Sequence, residues 1–322
     1  MIQRGPKQSK FRVVLRTVSR GFAIVALFLS IPLFAQGAML YLEPASGEYQ
    51  PGDTFIVEAR IDTEEECINT VEANLNFPQD ILKAVDFSQG KSILTIWVKP
   101  PTIDQNAGLI SFSGGIPGGY CGRIPGDPGV SNLLGRIVFQ VRETDAKLEH
   151  ETDAKVKFLD SSEVLLNDGF GTPAKLNAQG VVFTILPQKE GPTREEWQKE
   201  LIADTIPPEP FAIEIHQYPL IFEGKYFIIF STTDKQTGLD YFEVKEGKKD
   251  FKKASSPYLL EDQALGKKII VRAYDKAGNY REAEIKPSYK ITWKDGLYLI
   301  LILVGIGAIW WIIKRQKIED RK

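Results

Sequence analysis

From Ala38 to about Leu186, apolar and polar positions alternate in short runs bounded by Gly, Pro and Asn. A period of two puts successive side chains on opposite faces of a strand. Leu40–Leu42, Thr54–Ile61, Thr70–Phe77, Ile81–Phe87, Ile93–Val98, Leu109–Ser113, Leu133–Val141, Ala154–Leu159, Ser162–Leu166 and Gly180–Ile185 are candidate strands. Pro44–Asp53 carries two turn signals. Helical periodicity is almost absent, so residues 38–186 predict an antiparallel sandwich or jelly roll of about nine strands. In Thr70–Phe77 the alternation is clean: Val71, Ala73, Leu75 and Phe77 are expected to face a core, and Thr70, Glu72, Asn74 and Asn76 to face outward. That outward row is polar and uncharged apart from Glu72, which suits either a solvated face or part of a flat recognition surface.

The pattern breaks over residues 187–206. Pro187–Pro192 is linker-like, and Thr193–Ala203 predicts a short helix with Thr193 as cap and Glu196 three residues on. Asp204–Pro210 is a stiff, extended lead into the next unit. Strand patterns then resume at Phe211–His216, Tyr226–Thr232, Tyr241–Glu246, Tyr258–Leu260, Lys268–Tyr274 and Tyr280–Ile285. Residues 207–290 therefore predict a second, small immunoglobulin-like sandwich, and the fold class is all-β.

The two ends differ from the middle. Arg4, Lys7, Lys10, Arg12, Arg16 and Arg20 precede the apolar run Gly21–Ala35 and the small residues Gly37 and Ala38. That order predicts a secretory signal over 1–37, or an uncleaved N-terminal anchor. Residues 296–313 carry no charge, and a helix of that length spans ~27 Å, close to the hydrocarbon thickness of a bilayer. Trp310 and Trp311 lie near one end, with Trp293 and Tyr298 near the other, and Lys314, Arg315 and Lys317 follow. A transmembrane helix over 296–313 with a cytoplasmic basic tail over 314–322 is expected. Both ends then place the bulk of the chain outside the cytoplasm, as a single-pass membrane protein contacting lipid through its C-terminal helix.

Composition narrows the chemistry. The chain has 322 residues, a net charge of -2, and only two His and two Cys. No basic stripe marks a nucleic-acid binder, so no nucleic-acid partner is expected. His150 and His216 support no triad with confidence, and no enzyme, cofactor or metal is expected. Asp160, Glu163, Asn167 and Asp168 cluster near Gly169, but the spacing lacks the alternating ligands of a calcium loop and reads as an Asn-Asp-Gly turn. Trp97 and Tyr120 flank Pro- and Gly-rich loops, where they would either stack on sugar rings or pack into the core. Asp275 and Asn279 are expected to bond turn backbone, with Gly278 supplying a positive φ.

Three segments, in order, carry a resemblance: Leu42–Phe55 with its "G-D-x-F-x-V" strand, Ile68–Leu82 with its "F-x-P-x-x-L" turn, and Leu165–Thr172 with its "N-D-G-x-G" turn. Residues 40–186 resemble the cohesin and carbohydrate-binding-module superfamily. Asp204–Pro208, Ser231–Asp240 and Val271–Asn279 likewise resemble bacterial immunoglobulin-like or fibronectin-type-III-like repeats. The first resemblance implies recognition rather than catalysis, of a dockerin-like protein module or of a polysaccharide. In cohesins the partner docks on a sheet face that includes the third strand, which makes Thr70, Glu72, Asn74 and Asn76 the candidates here. A non-enzymatic surface protein is expected, with the first sandwich recognising an extracellular protein module in adhesion or scaffolding and the second acting as a spacer. Carbohydrate binding through the same sandwich, and a purely structural envelope role, are the alternatives.

Cys67 and Cys121 both fall in the first unit. In an exported chain an even pair reads as a disulfide, worth up to ~4 kcal/mol by the chain-entropy account; two free thiols are the other reading. Intact-mass analysis without reduction is expected to show the crosslink. Two alkylatable thiols in the unreduced native protein would refute it.

Overall fold

The computed structural model describes residues 37–122, 131–143, 150–187, 191–287 and 293–319. The expected signal segment therefore lies outside the described residues but for its last residue, as does the end of the basic tail. The described chain is mostly β-sheet, and its first unit holds twelve strands rather than about nine. They are β1 (Ala38–Glu43), β2 (Ser46–Tyr49), β3 (Thr54–Asp62), β4 (Ile68–Asn76), β5 (Leu82–Ser88) and β6 (Ile96–Asp104), followed by β7 (Leu109–Tyr120), β8 (Leu133–Val141), β9 (Thr152–Phe158), β10 (Glu163–Leu166), β11 (Leu176–Ala178) and β12 (Val181–Ile185). One sheet runs β11-β1-β3-β8-β5 and the other β2-β12-β9-β4-β7-β6, with β10 also paired to β4.

The strands beyond the expected set are short and use pairing that the alternation does not encode. β2 lies within the segment read as turns, and β11 was not marked at all; both pair in parallel, β2 with β12 and β11 with β1. β6 also begins later than expected, at Ile96, and continues through Pro100 and Pro101 to Asp104. Those prolines are tolerated because β6 is an edge strand. Inside, aromatic rings link the two sheets: Tyr49 stacks on Phe55 at 3.8 Å, Phe55 meets Phe183 at 5.1 Å, and Phe77 meets Phe139 at 5.4 Å. Cys67 and Cys121 form a disulfide with Cα atoms 4.0 Å apart, fastening the start of β4 to the end of β7.

The segment after the first sandwich is not a free linker. Where β1 ends at Glu43, residues 194–196 take its place beside β3. Thr54 N–H donates to the Arg194 carbonyl at 2.8 Å, and Ile56 N–H donates to Glu196 Oε2 at 3.2 Å. Asp53 Oδ1 accepts from Arg194 N at 2.7 Å, and Gln50 Nε2 donates to the Pro192 carbonyl at 3.1 Å. The helix α1 spans Glu196–Ala203, so Thr193 is not its cap; Glu196 serves β3 instead of a capping box. Trp197 is buried against the guanidinium of Arg136 at 5.7 Å.

The second unit has seven strands: β13 (Ile213–Gln217), β14 (Tyr226–Phe230), β15 (Leu239–Glu246), β16 (Lys252–Ala254), β17 (Tyr258–Leu259), β18 (Ile269–Asp275) and β19 (Tyr280–Ile285). They form sheets β13-β14-β17 and β16-β15-β18-β19 around Ile228, Phe230, Val244, Leu260, Ile269 and Val271. The turn after β18 is built as its sequence predicts: Asn279 N–H donates to Asp275 Oδ1 at 2.8 Å, and Gly278 has φ +89°.

The two sandwiches touch. Ser88 Oγ donates to the Thr237 carbonyl at 2.6 Å, and Lys276 Nζ pairs with Asp86 at 2.6 Å. A Cβ on Gly90 would lie 2.2 Å from the Gln236 carbonyl oxygen, so only glycine allows this approach. Arg136, on β8, donates to Glu200 of α1 and to the Gln236 carbonyl, and reaches Ser88 Oγ at 3.3 Å. Its side chain is only 3% exposed.

A second helix, α2, covers Trp293–Glu319. Over the residues whose side chains are described, Gly296, Leu297 and Ile300–Trp311, all are exposed. Among those described residues no helix is long and apolar enough to cross a membrane.

Removing one partner of a buried ion pair leaves an uncompensated charge, at a cost of about 3–5 kcal/mol. Glu200→Ala, which leaves the 3% exposed Arg136 guanidinium without its carboxylate, is therefore expected to lower unfolding stability by up to about that amount in a denaturant titration.

Candidate functional site

The row expected from the alternation lies where the spacing places it. In β4, Val71, Ala73 and Leu75 are fully buried, while Thr70, Glu72, Asn74 and Asn76 are half-buried on the outer face. β4 is interior to its sheet, so its outward residues continue across neighbouring strands. Thr70 stands opposite Gly115, Glu72 opposite Ser113 and Asn74 opposite Ser111, all on β7. Beyond them on β6 come Ile96, Lys99 and Thr102. On the other side β10 sets Leu165 against Thr70 and Glu163 against Glu72. Small residues in the middle strand leave this face low and broad.

Not every member of the row is available. Asn74 Nδ2 donates to the Ser161 carbonyl at 3.0 Å, and Asn76 Nδ2 donates to the Gly108 carbonyl at 3.1 Å. Both amides therefore hold loops in place. Thr70 Oγ1 donates to Asn69 Oδ1 at 3.0 Å. Glu72 and Glu163 are different. They are directly opposed on adjacent strands, and among the described residues neither has an ion-pair partner. Like charges in this position work against strand pairing.

Of the two readings of the aromatic candidates, packing against the core is the one seen. Trp97 pairs with Gly114, on the inward side of β7. It packs edge-on to Phe87 at 6.2 Å and near Phe112 at 6.0 Å, so it belongs to the rim of the core. Tyr120 opposes Ile68, packs on the same core, and its hydroxyl lies 3.4 Å from Ser131 Oγ. Neither joins the outer row. The reason is register: Trp97 shares its face with Ile103, which opposes the buried Ile110, and the two bulges between them cancel; the residue they turn outward is Lys99, opposite Ser113.

The Asn-Asp-Gly turn supplies something the sequence did not single out. Asp168 Oδ1 accepts from Phe170 N at 2.8 Å, and hydrogen bonds led by the Thr172 side chain hold this carboxyl below its ordinary pKa. Asn167 N–H donates to the Cys67 carbonyl, tying the turn to the disulfide end of β4. The turn presents Phe170 at 90% exposure. Together with Ile96, 55% exposed, it adds apolar surface to the sandwich that carries the polar face.

Among the described residues, one group of acidic side chains is close enough to share an ion: Asp204, Asp234 and Asp275, none of them in the first sandwich. His216 lies 3.1 Å from Glu214 on one exposed strand, and His150 is exposed on another part of the chain.

No family model matches the chain, and no curated protein matches it. Among solved structures it is similar to cohesin modules. The sixth cohesin of scaffoldin B from Acetivibrio cellulolyticus, solved with a Cel5 dockerin, aligns with 48% of this chain and 100% of its own at 13% identity and a TM-score of 0.35. A cohesin module of a family 33 glycoside hydrolase from Clostridium perfringens aligns with 47% of this chain and 96% of its own, at 9% identity and TM-score 0.34. The seventh ScaB type I cohesin from Pseudobacteroides cellulosolvens aligns with 49% and 97%, at 16% identity and TM-score 0.32.

The hydrogen bonding separates structural from available members of the row. Asn74→Ala and Asn76→Ala are each expected to cost about 0.5–1.5 kcal/mol. Glu72→Gln is expected to be neutral, or to stabilise by up to about 1 kcal/mol by relieving the opposition to Glu163. Equilibrium unfolding of the three variants checks the ranking.

Proposed function

We propose that the chain is a non-enzymatic, membrane-anchored surface protein whose first sandwich docks a protein module on the face made by β10, β4, β7 and β6. The observation that carries this reading is the opposed pair Glu72, half-buried, and Glu163, exposed, in the middle of that face without a basic partner among the described residues. Such a pair costs stability in the free protein and is relieved when a partner brings Lys or Arg against it. Apolar Ile96 and Phe170 lie on the same sandwich as anchors for contact.

The choice of face has a further support. The outer side of the five-stranded sheet is taken: α1 lies against β3, Arg136 binds across to α1 and the second sandwich, and Val138 is fully buried there. Among the described residues, the opposite sheet keeps its outer face free of the helix and of the second sandwich. The ordered motifs that resemble cohesins point the same way, to protein recognition through the face containing this strand. Polysaccharide binding loses its main support, because Trp97 and Tyr120 pack against the core instead of forming an outward strip.

The anchor rests on sequence. The uncharged run 296–313, its flanking Trp and Tyr, and the basic tail 314–322 fit a single transmembrane helix. With the basic, then apolar, stretch over 1–37, they support a location of the two sandwiches outside the cytoplasm. The second, immunoglobulin-like sandwich stands between anchor and recognition face, docked to the first.

Affinity capture tests the reading, with the full chain in detergent micelles as bait and cell-surface and secreted protein from the producing cells as prey. Wild type is expected to retain a discrete protein that Glu72→Arg with Glu163→Arg loses. Retention of insoluble polysaccharide and no protein, or equal capture by the charge-reversed variant, would overturn it.

A further inference from the structure

Three carboxylates converge at the junction of the two sandwiches. Asp204 follows α1, Asp234 lies in the loop between β14 and β15, and Asp275 closes β18. An oxygen from each lies within 4.8 Å of the others, and the residues are only 8%, 3% and 1% exposed. Buried charge needs compensation. No basic side chain supplies it among the described residues: Lys276 is turned to Asp86, Lys235 to Glu209, and Arg281 to the Pro208 carbonyl.

What surrounds the acids is a set of donors that orient them. Asp204 Oδ1 accepts from Ile206 N at 3.1 Å, and its Oδ2 accepts from Thr237 N at 3.1 Å and Thr237 Oγ1 at 2.6 Å. Asp234 Oδ1 accepts from Gln236 N at 3.0 Å and Gly238 N at 2.8 Å. Asp275 accepts from the backbone and side-chain amides of Asn279 at 2.8 and 2.9 Å. One oxygen is left over. Asp234 Oδ2 is buried and has no hydrogen-bond partner. Burial, and then the charge of Asp204 and Asp275, pushes the Asp234 carboxyl above its ordinary pKa; burial does the same to Asp275.

The donor type selects the ion. All three ligands are carboxylate oxygens, with no His or Cys among them, which suits a hard cation rather than zinc. Oxygens about 2.3–2.6 Å from a common calcium are up to about 5 Å apart, so oxygens within 4.8 Å of one another can share one ion. Magnesium keeps several waters and takes one or two carboxylates, so three protein carboxylates suit calcium better.

We propose that Asp204, Asp234 and Asp275 bind a divalent cation of calcium size, and that this ion stiffens the joint between the two sandwiches. The second part follows from connectivity. Asp204 belongs to the segment joining the units, and the Asp234 loop carries the Gln236 and Thr237 carbonyls that receive Arg136 and Ser88 of the first sandwich. An ion that holds Asp204 to Asp234 holds the joining segment to the docking loop. The proposal is independent of what the first sandwich recognises.

The test uses the full chain in detergent, stripped with chelator and titrated with calcium chloride by calorimetry, with thermal melts and amide hydrogen exchange alongside. Binding in the ~10⁻⁴–10⁻³ M range of extracellular calcium modules is expected. Added calcium should raise the melting temperature and slow exchange at Gln236, Thr237, Gly238 and Asn279. Asp234→Asn keeps an oxygen for the loop amides while removing one negative charge. It is expected to melt higher than wild type in chelator yet bind calcium at least tenfold more weakly. Absence of binding to wild type at about ten times the upper end of that range, or equal binding by Asp234→Asn, overturns the proposal.

Discussion

The arrangement of this protein depends on one buried guanidinium. Arg136 sits on β8, a strand with nearly every residue shielded on both faces, and its charge is met from three directions. Glu200 comes from α1, the Gln236 carbonyl from the second sandwich, and Ser88 Oγ from β5, with the Trp197 ring alongside. Taking such a group out of water is costly unless each partner is in place. Sandwich, helix and second sandwich are therefore held to one geometry by the need to satisfy one cation.

That constraint decides which surfaces remain for function. With α1 and the second sandwich on one sheet, the other sheet faces solvent with β4 and β7 at its middle. Small side chains at Ser111, Ser113 and Gly115 keep it low beside the opposed Glu72 and Glu163.

The two groups of acidic residues show how environment sorts the same chemistry. Glu72 and Glu163 oppose each other at the surface, where water screens much of their repulsion. Asp204, Asp234 and Asp275 are shielded from water and oriented by backbone amides. The first arrangement suits a surface that meets a charged partner; the second suits an ion of opposite charge.

Much of the fold was legible in the chain itself. Period-two alternation marked ten of the twelve strands of the first unit and most of those in the second, because a half-buried strand writes its two faces into adjacent positions. The inward Val71, Ala73 and Leu75 and the outward Thr70, Glu72, Asn74 and Asn76 follow from that rule alone, as does the turn built on Asp275, Gly278 and Asn279. Tertiary structure decided what pairs with what. β2 and β11 exist because parallel neighbours supply their hydrogen bonds, and Lys99 joins the outer row because a bulge on either side of it shifts its register. Glu163 became part of a pair with Glu72, and three acids spread from position 204 to 275 came together, through contacts between distant segments. Local pattern records which side of a strand is wet; it does not record which distant strand lies beside it, and both candidate sites are made of such neighbours.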